Sequence, residues 1–392
     1  MDEYLRRGGF MRGNLPFLVN EFKERLNKVK ESMRRENLDA LLVNAPEDLY
    51  YLTGYHSMGY AFLGWQTLII SLKEDPIMVT RNLEQLSFRQ QSWTDKLLGY
   101  KDHEDPIEYT VKVLLELGLE NGRIGVPKKS WFMSTYHWEQ ISNSLPSVEW
   151  VDGSNIVAGI RIVKSEAEIS YIRHSAQLLQ KGLLAGVEEA KEGCSENDLA
   201  AAALHTMIKE GSEVPGTLPL IGAGQRSALG HSSWEGFKAG RGDVIFYEIG
   251  ACVRRYHAAI MRTISIGEPS DFVKRLEEGS RSAINAAIDV IKPGVTSGDV
   301  DRACRQTVKK LGLGDYFHHR AGYSIGIGFT SWLDGPSLKE GDDTPLKAGM
   351  VFHVVPFLTD FKVSVAISET VLVTDQGAEK LTNVEQKIFV KD

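Results

Sequence analysis

The feature that most limits what this chain can become is a change of hydrophobic period near residue 160. Before it, short β-rich runs, LDALLVNA (38–45), TLIISL (67–72) and PIMVT (76–80), alternate with helical stretches such as EYTVKVLLELGL. After it, IRIVKSEAEISYIRHSAQLLQKGLLAGVEEA keeps a period of about 3.6 without a break. The two patterns belong to different layer arrangements, and 392 residues are too many for one ordinary core. The boundary is expected near Gly159, giving units 1–158 and 159–392.

The first unit reads as α/β. It opens on an amphipathic helix, FLVNEFKERLNKVKESMRREN, with Phe22, Leu26, Val29 and Met33 at helical spacing. YYLTGY (50–55) reads as a strand, and RIGVPK and VEWVDG as the last strands of the unit. Ser165 followed by Glu168 is a capping-box signature that starts the next helix. The second unit then sets the helices SENDLAAAALHTMIKEG, SDFVKRLEEGSRSAINAAIDVIKPG and TSGDVDRACRQTVKKLG around long strands and a strand-rich tail, an α+β arrangement.

The 45 basic residues against 52 acidic ones, without a long Lys/Arg block, exclude a polyanion-binding strip, so no nucleic-acid partner is expected. Nowhere do about 18 uncharged apolar residues follow one another, so no membrane partner is expected either. MDEYLRRGGFMRGNLPF lacks the apolar run of a signal peptide, which points to the cytoplasm. Cys194, Cys252 and Cys304 form no CxxC pair; inert buried thiols are expected rather than a disulfide framework or a thiolate zinc site.

YYLTGY, IRIVKSEAEI, GDVIFYEIGA, GYSIGIG, KAGMVFHVVP and ISETVLVTDQGAE, taken in order along nearly the whole chain, resemble the creatinase, prolidase and aminopeptidase P family. The resemblance implies a pita-bread catalytic domain of α+β class behind a smaller α/β amino-terminal domain. It also implies a homodimer in which the aromatic run HSMGYAFLGWQT (56–67) reaches toward the partner's cleft; Trp65 or Tyr60 could there stack on a flat cation, against the plain core role of most aromatics in such a run. Metal-using members hold two cations with five side chains, and the matching positions here are Glu248, Ala259, Tyr323, Val355 and Ser368. Alanine, valine and a neutral tyrosine cannot assemble such a centre, so neither metal nor other cofactor is expected.

The family also has a metal-free branch, represented by creatinase and the ectoine hydrolases. His231 stands twelve residues before Asp243, where creatinase-like proteins place a functional histidine. Met261 and Val355 occupy positions that carry carboxylates in creatinase, which tells against creatine, and the wording of GYSIGIG, MVFHVVP and RRYHAAIMRT is closer to the ectoine hydrolases.

The residues suggest their own chemistry. A cyclic amidinium already carries positive charge at the carbon to be attacked, so it needs a carboxylate rather than a Lewis acid. Glu248 alternates with Phe246 and Gly250 on one strand face and is expected in the cleft as nucleophile or base; the competing reading pairs it with Arg254, Arg255 or Arg262. His231 suits proton transfer to a departing nitrogen. His257 and His353 are candidates for proton transfer or for fixing a substrate carboxylate, against a plain core role.

Tyr323 and Ser324 offer hydroxyls and Arg226 a guanidinium fork for substrate. Glu369 follows a vacated ligand position but faces the other way on its strand. GAGQRSALG and GYSIGIG lack the context of phosphate loops and read as turns that allow close approach of a small ligand.

The expected activity is metal-independent hydrolysis of a C–N bond in a small cyclic amidine or guanidino compound, with ectoine opened to an N-acetyl-diaminobutyrate as the best candidate. Two alternatives stay open: an Xaa-Pro dipeptidase-like metallopeptidase with a degenerate metal site, and a non-catalytic ligand-binding protein.

Overall fold

A computed structural model describes residues 15–61 and 64–392. Most of the amino-terminal segment read for targeting, and Phe62 and Leu63 of the aromatic run, lie outside the described residues.

The chain divides into two compact units between Arg161 and Ile162. Gly159, where the sequence places the boundary, lies inside the last helix of the first unit. That unit contains, in order, α1 (Val19–Arg35), β1 (Ala40–Val43), α2 (Pro46–Thr53), β2 (Thr67–Ser71), β3 (Ile77–Arg81), α3 (Gln85–Gln91), β4 (Leu97–Tyr100), α4 (Pro106–Glu116), β5 (Arg123–Val126), α5 (Thr135–Ser144), β6 (Glu149–Asp152) and α6 (Ser154–Arg161).

Its sheet runs in the order β4-β3-β2-β1-β5-β6. β1 pairs antiparallel with β2 and parallel with β5, so the sheet is mixed and its central strands are apolar on both faces. α1 buries Phe22, Leu26, Val29 and Met33, the positions its period picked out.

YYLTGY is not a strand. Its first four residues close α2, which has Pro46 in its first turn, Glu47 and Asp48 at the positive end of its dipole, and Gly54 in the left-handed region (φ 84°) as C-cap. Local punctuation outweighs the β propensity of the two tyrosines.

The second unit contains α7 (Glu166–Glu189), α8 (Glu196–Lys209), β7 (Leu220–Ala223), β8 (Val244–Val253), β9 (Tyr256–Ile266), α9 (Asp271–Val290), α10 (Ser297–Lys310), β10 (Gly322–Ile325), β11 (Leu333–Leu338), β12 (Val351–Val354), β13 (Phe357–Thr359), β14 (Ser364–Ala366), β15 (Glu369–Thr374), β16 (Gly377–Lys380) and β17 (Phe389–Lys391). Reciprocal capping boxes start three of these helices, from Ser165 and Glu168, Ser195 and Asp198, and Thr296 and Asp299.

β8 and β9 form a hairpin whose two turn residues, Arg254 and Arg255, both have positive φ, 49° and 62°. A two-residue turn of this hand matches strand twist but normally calls for Asn-Gly. Arg255 holds it by donating from its backbone to Glu213 and from its side chain to the Val214 and Gly328 carbonyls.

The hairpin lies in a sheet ordered β17-β9-β8-β7, and a second sheet is ordered β11-β10-β12-β15-β16. α7 packs on the first sheet and α9 with α10 near the second, around a core that includes Leu276, Ile284, Val300, Phe352 and Val371. The candidate site opens where β8, β9, β10 and the segment after β12 converge. Among the described residues no helix is long and apolar enough to cross a membrane.

The α7 contact with the sheet supplies a test. A Cβ on Gly186 would meet the Tyr247 ring, 2.6 Å from Cζ, in a wall that is fully buried. Alanine in mid-helix ordinarily gains up to about 1 kcal/mol over glycine. Here overpacking reverses the sign, and Gly186→Ala is expected to destabilise the protein by about 1–3 kcal/mol in urea unfolding.

Candidate active site

Register puts the first members of the site on one face. Glu248 on β8 lies directly opposite Met261 on β9, so both side chains leave the hairpin on the same side. Tyr323 on β10 lies opposite His353 on β12, and His353 opposite Thr370 on β15. The two sheets meet there: the Met261 N–H donates to Ser368 Oγ at 2.6 Å, and Thr370 Oγ1 accepts from the Ala259 N–H at 3.1 Å and donates to its carbonyl at 2.8 Å.

A cavity of about 320 Å³ lies against this junction, within the small-molecule range. Glu248 lines it, flanked by Met261, Val355 and Phe357. Tyr323, His231, Arg320 and His319 line other parts of the wall.

Glu248 is 4 % exposed, and burial pushes its carboxyl up to about 8, against the lowering effect of the Tyr323 hydroxyl, which donates to Oε1 at 3.3 Å. His353 Nδ1 is 3.7 Å from the same oxygen. Burial holds His353 down to about 3, so that ring is neutral and the contact is not an ion pair. Burial likewise keeps the Tyr323 phenol well above its usual range, and therefore protonated.

The arginine reading of Glu248 is resolved by Arg262, which pairs instead with Glu369 at 2.9 Å. Its five N–H donors are all placed: Nε on the Glu385 carbonyl, Nη1 on those of Met261 and Ser368, Nη2 on Glu369 and the Val384 carbonyl.

The sequence candidates are distributed unevenly. Glu248, His231 and Tyr323 reach the cavity, and His353 stands directly behind Tyr323. Glu369 does not: it is buried with Arg262 and also accepts from Thr382 and Gln386, which makes it a structural carboxylate. His257 is also removed from the cavity. Its Nε2 accepts from the Gly216 N–H at 2.8 Å and Nδ1 faces the Gly326 carbonyl at 3.2 Å, while burial pushes it down to about 3. Both ring nitrogens serve the backbone.

Ser324 alternates with Tyr323 and so faces the other side of β10. Trp65 is buried in the core of the first unit, where Nε1 donates to Thr110 Oγ1 at 2.8 Å. Arg226 is spent on Glu196 at 2.9 Å, with Glu235 at 3.2 Å and the Ser233 carbonyl at 2.7 Å. Glu196 in turn accepts from the Ala223 and Glu235 N–H groups. Arg226 therefore pins the ends of the loop that presents His231 rather than clamping a ligand.

The sequence reading missed Trp332, whose Nε1 donates to the Tyr323 hydroxyl at 3.1 Å, and the group His318, His319 and Arg320. Arg320 lies over the Tyr323 ring, 4.9 Å from its centroid. The triplet HHR before the glycine phrase GYSIGIG was a visible signal; Trp332 had none.

Comparison with known proteins places this geometry. Residues 170–375 match the model of metallopeptidase family M24, and residues 25–163 that of the creatinase/prolidase N-terminal domain. The chain is 27% identical over 398 residues to the ectoine hydrolase of Halomonas elongata, covering 96% of this chain and 99% of that one. It is 29% identical over 369 residues to the Xaa-Pro dipeptidase of Pyrococcus furiosus, covering 94% and 100%. The crystal structure of an X-Pro aminopeptidase from Thermotoga maritima superposes with a TM-score of 0.82 at 27% identity, covering 93% and 99%. The second unit is thus the pita-bread fold, behind a creatinase-like first unit.

The family's name implies metal, and the side chains here do not fit it. Among the described residues no three His, Cys, Asp or Glu side chains gather as ligands. The oxygen of Tyr323 is engaged by Trp332 and His353, and that of Ser368 by the Met261 N–H and His353. Among the described residues Glu248 is the one carboxylate on the cavity wall.

The Arg262 pair yields a stability prediction. Glu369→Ala leaves a buried guanidinium without its counter-charge, and is expected to cost about 3–5 kcal/mol in denaturant unfolding. The paired change of Arg262 and Glu369 to apolar residues should recover part of that loss.

Proposed function

The chain belongs to metallopeptidase family M24 and is a hydrolase; within that family we propose that it opens a C–N bond of a small cyclic amidine or guanidino cation without metal, ectoine being the best candidate. The observation that carries this reading is Glu248, a buried carboxylate on the wall of a small-molecule cavity with no arginine as its partner. Such a group is costly until a cation arrives. An amidinium at contact distance attracts it by about 4 kcal/mol at an effective dielectric near 20, and brings its own electrophilic carbon.

The chemistry then uses groups already in place. Ionised Glu248 takes a proton from water as its oxygen adds to the amidinium carbon. The tetrahedral adduct collapses with cleavage of one C–N bond: His231 on the cavity wall gives a proton to the leaving nitrogen and takes up the adduct's hydroxyl proton as the amide carbonyl forms, and the proton held by Glu248 passes to the released amine. Water is consumed, and ectoine gives an N-acetyl-diaminobutyrate. Met261, Val355 and Phe357 supply the apolar walls that keep the pair dry.

The Pyrococcus dipeptidase relative supports a different substrate, an Xaa-Pro dipeptide. The two readings separate in one assay: chelator-treated protein is incubated with ectoine, hydroxyectoine, creatine and Xaa-Pro dipeptides, and products are identified by mass spectrometry. Ring opening of ectoine is expected, abolished in Glu248→Gln. Cleavage of the dipeptides alone, or activity that returns only with added metal, would sink the proposal.

A pH profile follows from the buried carboxyl. Glu248 must be ionised to act, so kcat/KM, which reports the free protein, is expected to rise with pH through an acid limb near 8. A bound cation favours the carboxylate, so the acid limb of kcat should lie one to three units lower, by about the usual effect of an opposite charge at contact. Coincident limbs would mean that no cation sits beside Glu248.

A further inference from the structure

The proton positions around Glu248 can be deduced by counting donors and acceptors. Ser368 is fully buried. Its Oγ accepts from the Met261 N–H and has one other partner, His353 Nε2, both at 2.6 Å. A buried hydroxyl has to place its own proton, and Nε2 is the acceptor in reach. His353, being neutral, then carries its ring proton on Nδ1 and donates it to the Tyr323 hydroxyl oxygen at 3.0 Å. The same oxygen accepts from Trp332 Nε1 at 3.1 Å. With both lone pairs taken, the phenol has only its O–H to give, and Glu248 Oε1 at 3.3 Å receives it.

We propose that this chain, from the Met261 N–H through Ser368, His353 and Tyr323, runs in one direction only, and that these three side chains are positioning residues that hold Glu248 Oε1 as an acceptor and leave Oε2 to the substrate. The proposal rests on the preceding section only in taking Glu248 as the reacting group. A proton on Oε1 would meet an oxygen with no lone pair to spare, so the chain confines any proton of Glu248 to Oε2, and the Tyr323 hydrogen bond to Oε1 favours the carboxylate while burial favours the acid. Tyr323 and Ser368 stand at two of the positions matched to metal ligands in the family. Here they transmit the polarity of a backbone amide.

The other ionisable groups around the carboxylate are few. β10 contributes Tyr323, and the segment before it contributes His318, His319 and Arg320 on the cavity wall, with Arg320 over the Tyr323 ring. The loop after β7 contributes His231, and β12 contributes His353. β9 presents Met261 to this space, because Arg262 is turned to Glu369.

Two measurements on the full chain without substrate test the chain directly. Nitrogen-15 NMR of labelled histidines, with His353 assigned through His353→Gln, is expected to show a neutral ring protonated on Nδ1 across neutral pH. A ring protonated on Nε2, or a cationic ring, would overturn the proposal. In Ser368→Ala the tautomer should become mixed; a ring still protonated purely on Nδ1 would remove Ser368 from the chain.

Infrared titration of the Glu248 carboxyl, identified by difference against Glu248→Gln, should move to higher pH by about one unit in Tyr323→Phe, a tenfold gain in proton affinity. The acid limb of kcat/KM should move with it, while unfolding shows that the variant keeps its fold. An unmoved titration would overturn the role of Tyr323. Because tautomer and titration need no turnover, a wrong substrate assignment would leave both results standing, and failure of the chain would leave ectoine opening intact.

Discussion

Arg262 is the interaction on which the catalytic unit depends. A guanidinium this deeply buried costs several kcal/mol unless every donor is met, and this one meets five acceptors drawn from β9, the strand entrance at Ser368 and Glu369, and the carbonyls of Val384 and Glu385. The two sheets exchange no strand-to-strand ladder along β9 and β15. Arg262 joins them alongside the Met261–Ser368 and Ala259–Thr370 bonds, in an arrangement that brings Ser368 under the Met261 N–H and His353 behind Tyr323.

The two candidate carboxylates show how environment divides roles among like groups. Glu369 and Glu248 are both buried, yet Glu369 has a guanidinium, a threonine and a glutamine around it, and Glu248 has a phenol and a neutral imidazole. The first is neutralised and structural. The second is pushed up to about 8 by burial and is held largely as the neutral acid at neutral pH beside an open cavity, where a cationic substrate would draw out its charge.

Period and caps made the architecture legible, as the Ser165 box and the apolar stripe of α1 show. Alternation along β8 likewise put Glu248 on the right face, and alternation along β15 turned Glu369 away. What escaped depended on distant partners. Nothing near Arg226 announces that Glu196, thirty residues earlier, will claim it, and nothing near His257 announces the Gly216 amide. Trp332 sits in a loop whose path is set by the hairpin turn at Arg255, so its contact with Tyr323 has no local signature. YYLTGY shows the reverse failure, since Pro46 and Gly54 were visible and simply outranked by two aromatic residues.

The acceptors of Arg262 also order events in time. Glu248 and Tyr323 are made early, but two of the carbonyls that satisfy the guanidinium belong to residues 384 and 385, and β17 closes beside β9 only with Phe389 to Lys391. Until that tail docks, two of the five Arg262 donors lack their acceptors. A nascent chain therefore carries Glu248 and Tyr323 for more than sixty residues of synthesis before the last acceptors of Arg262 exist.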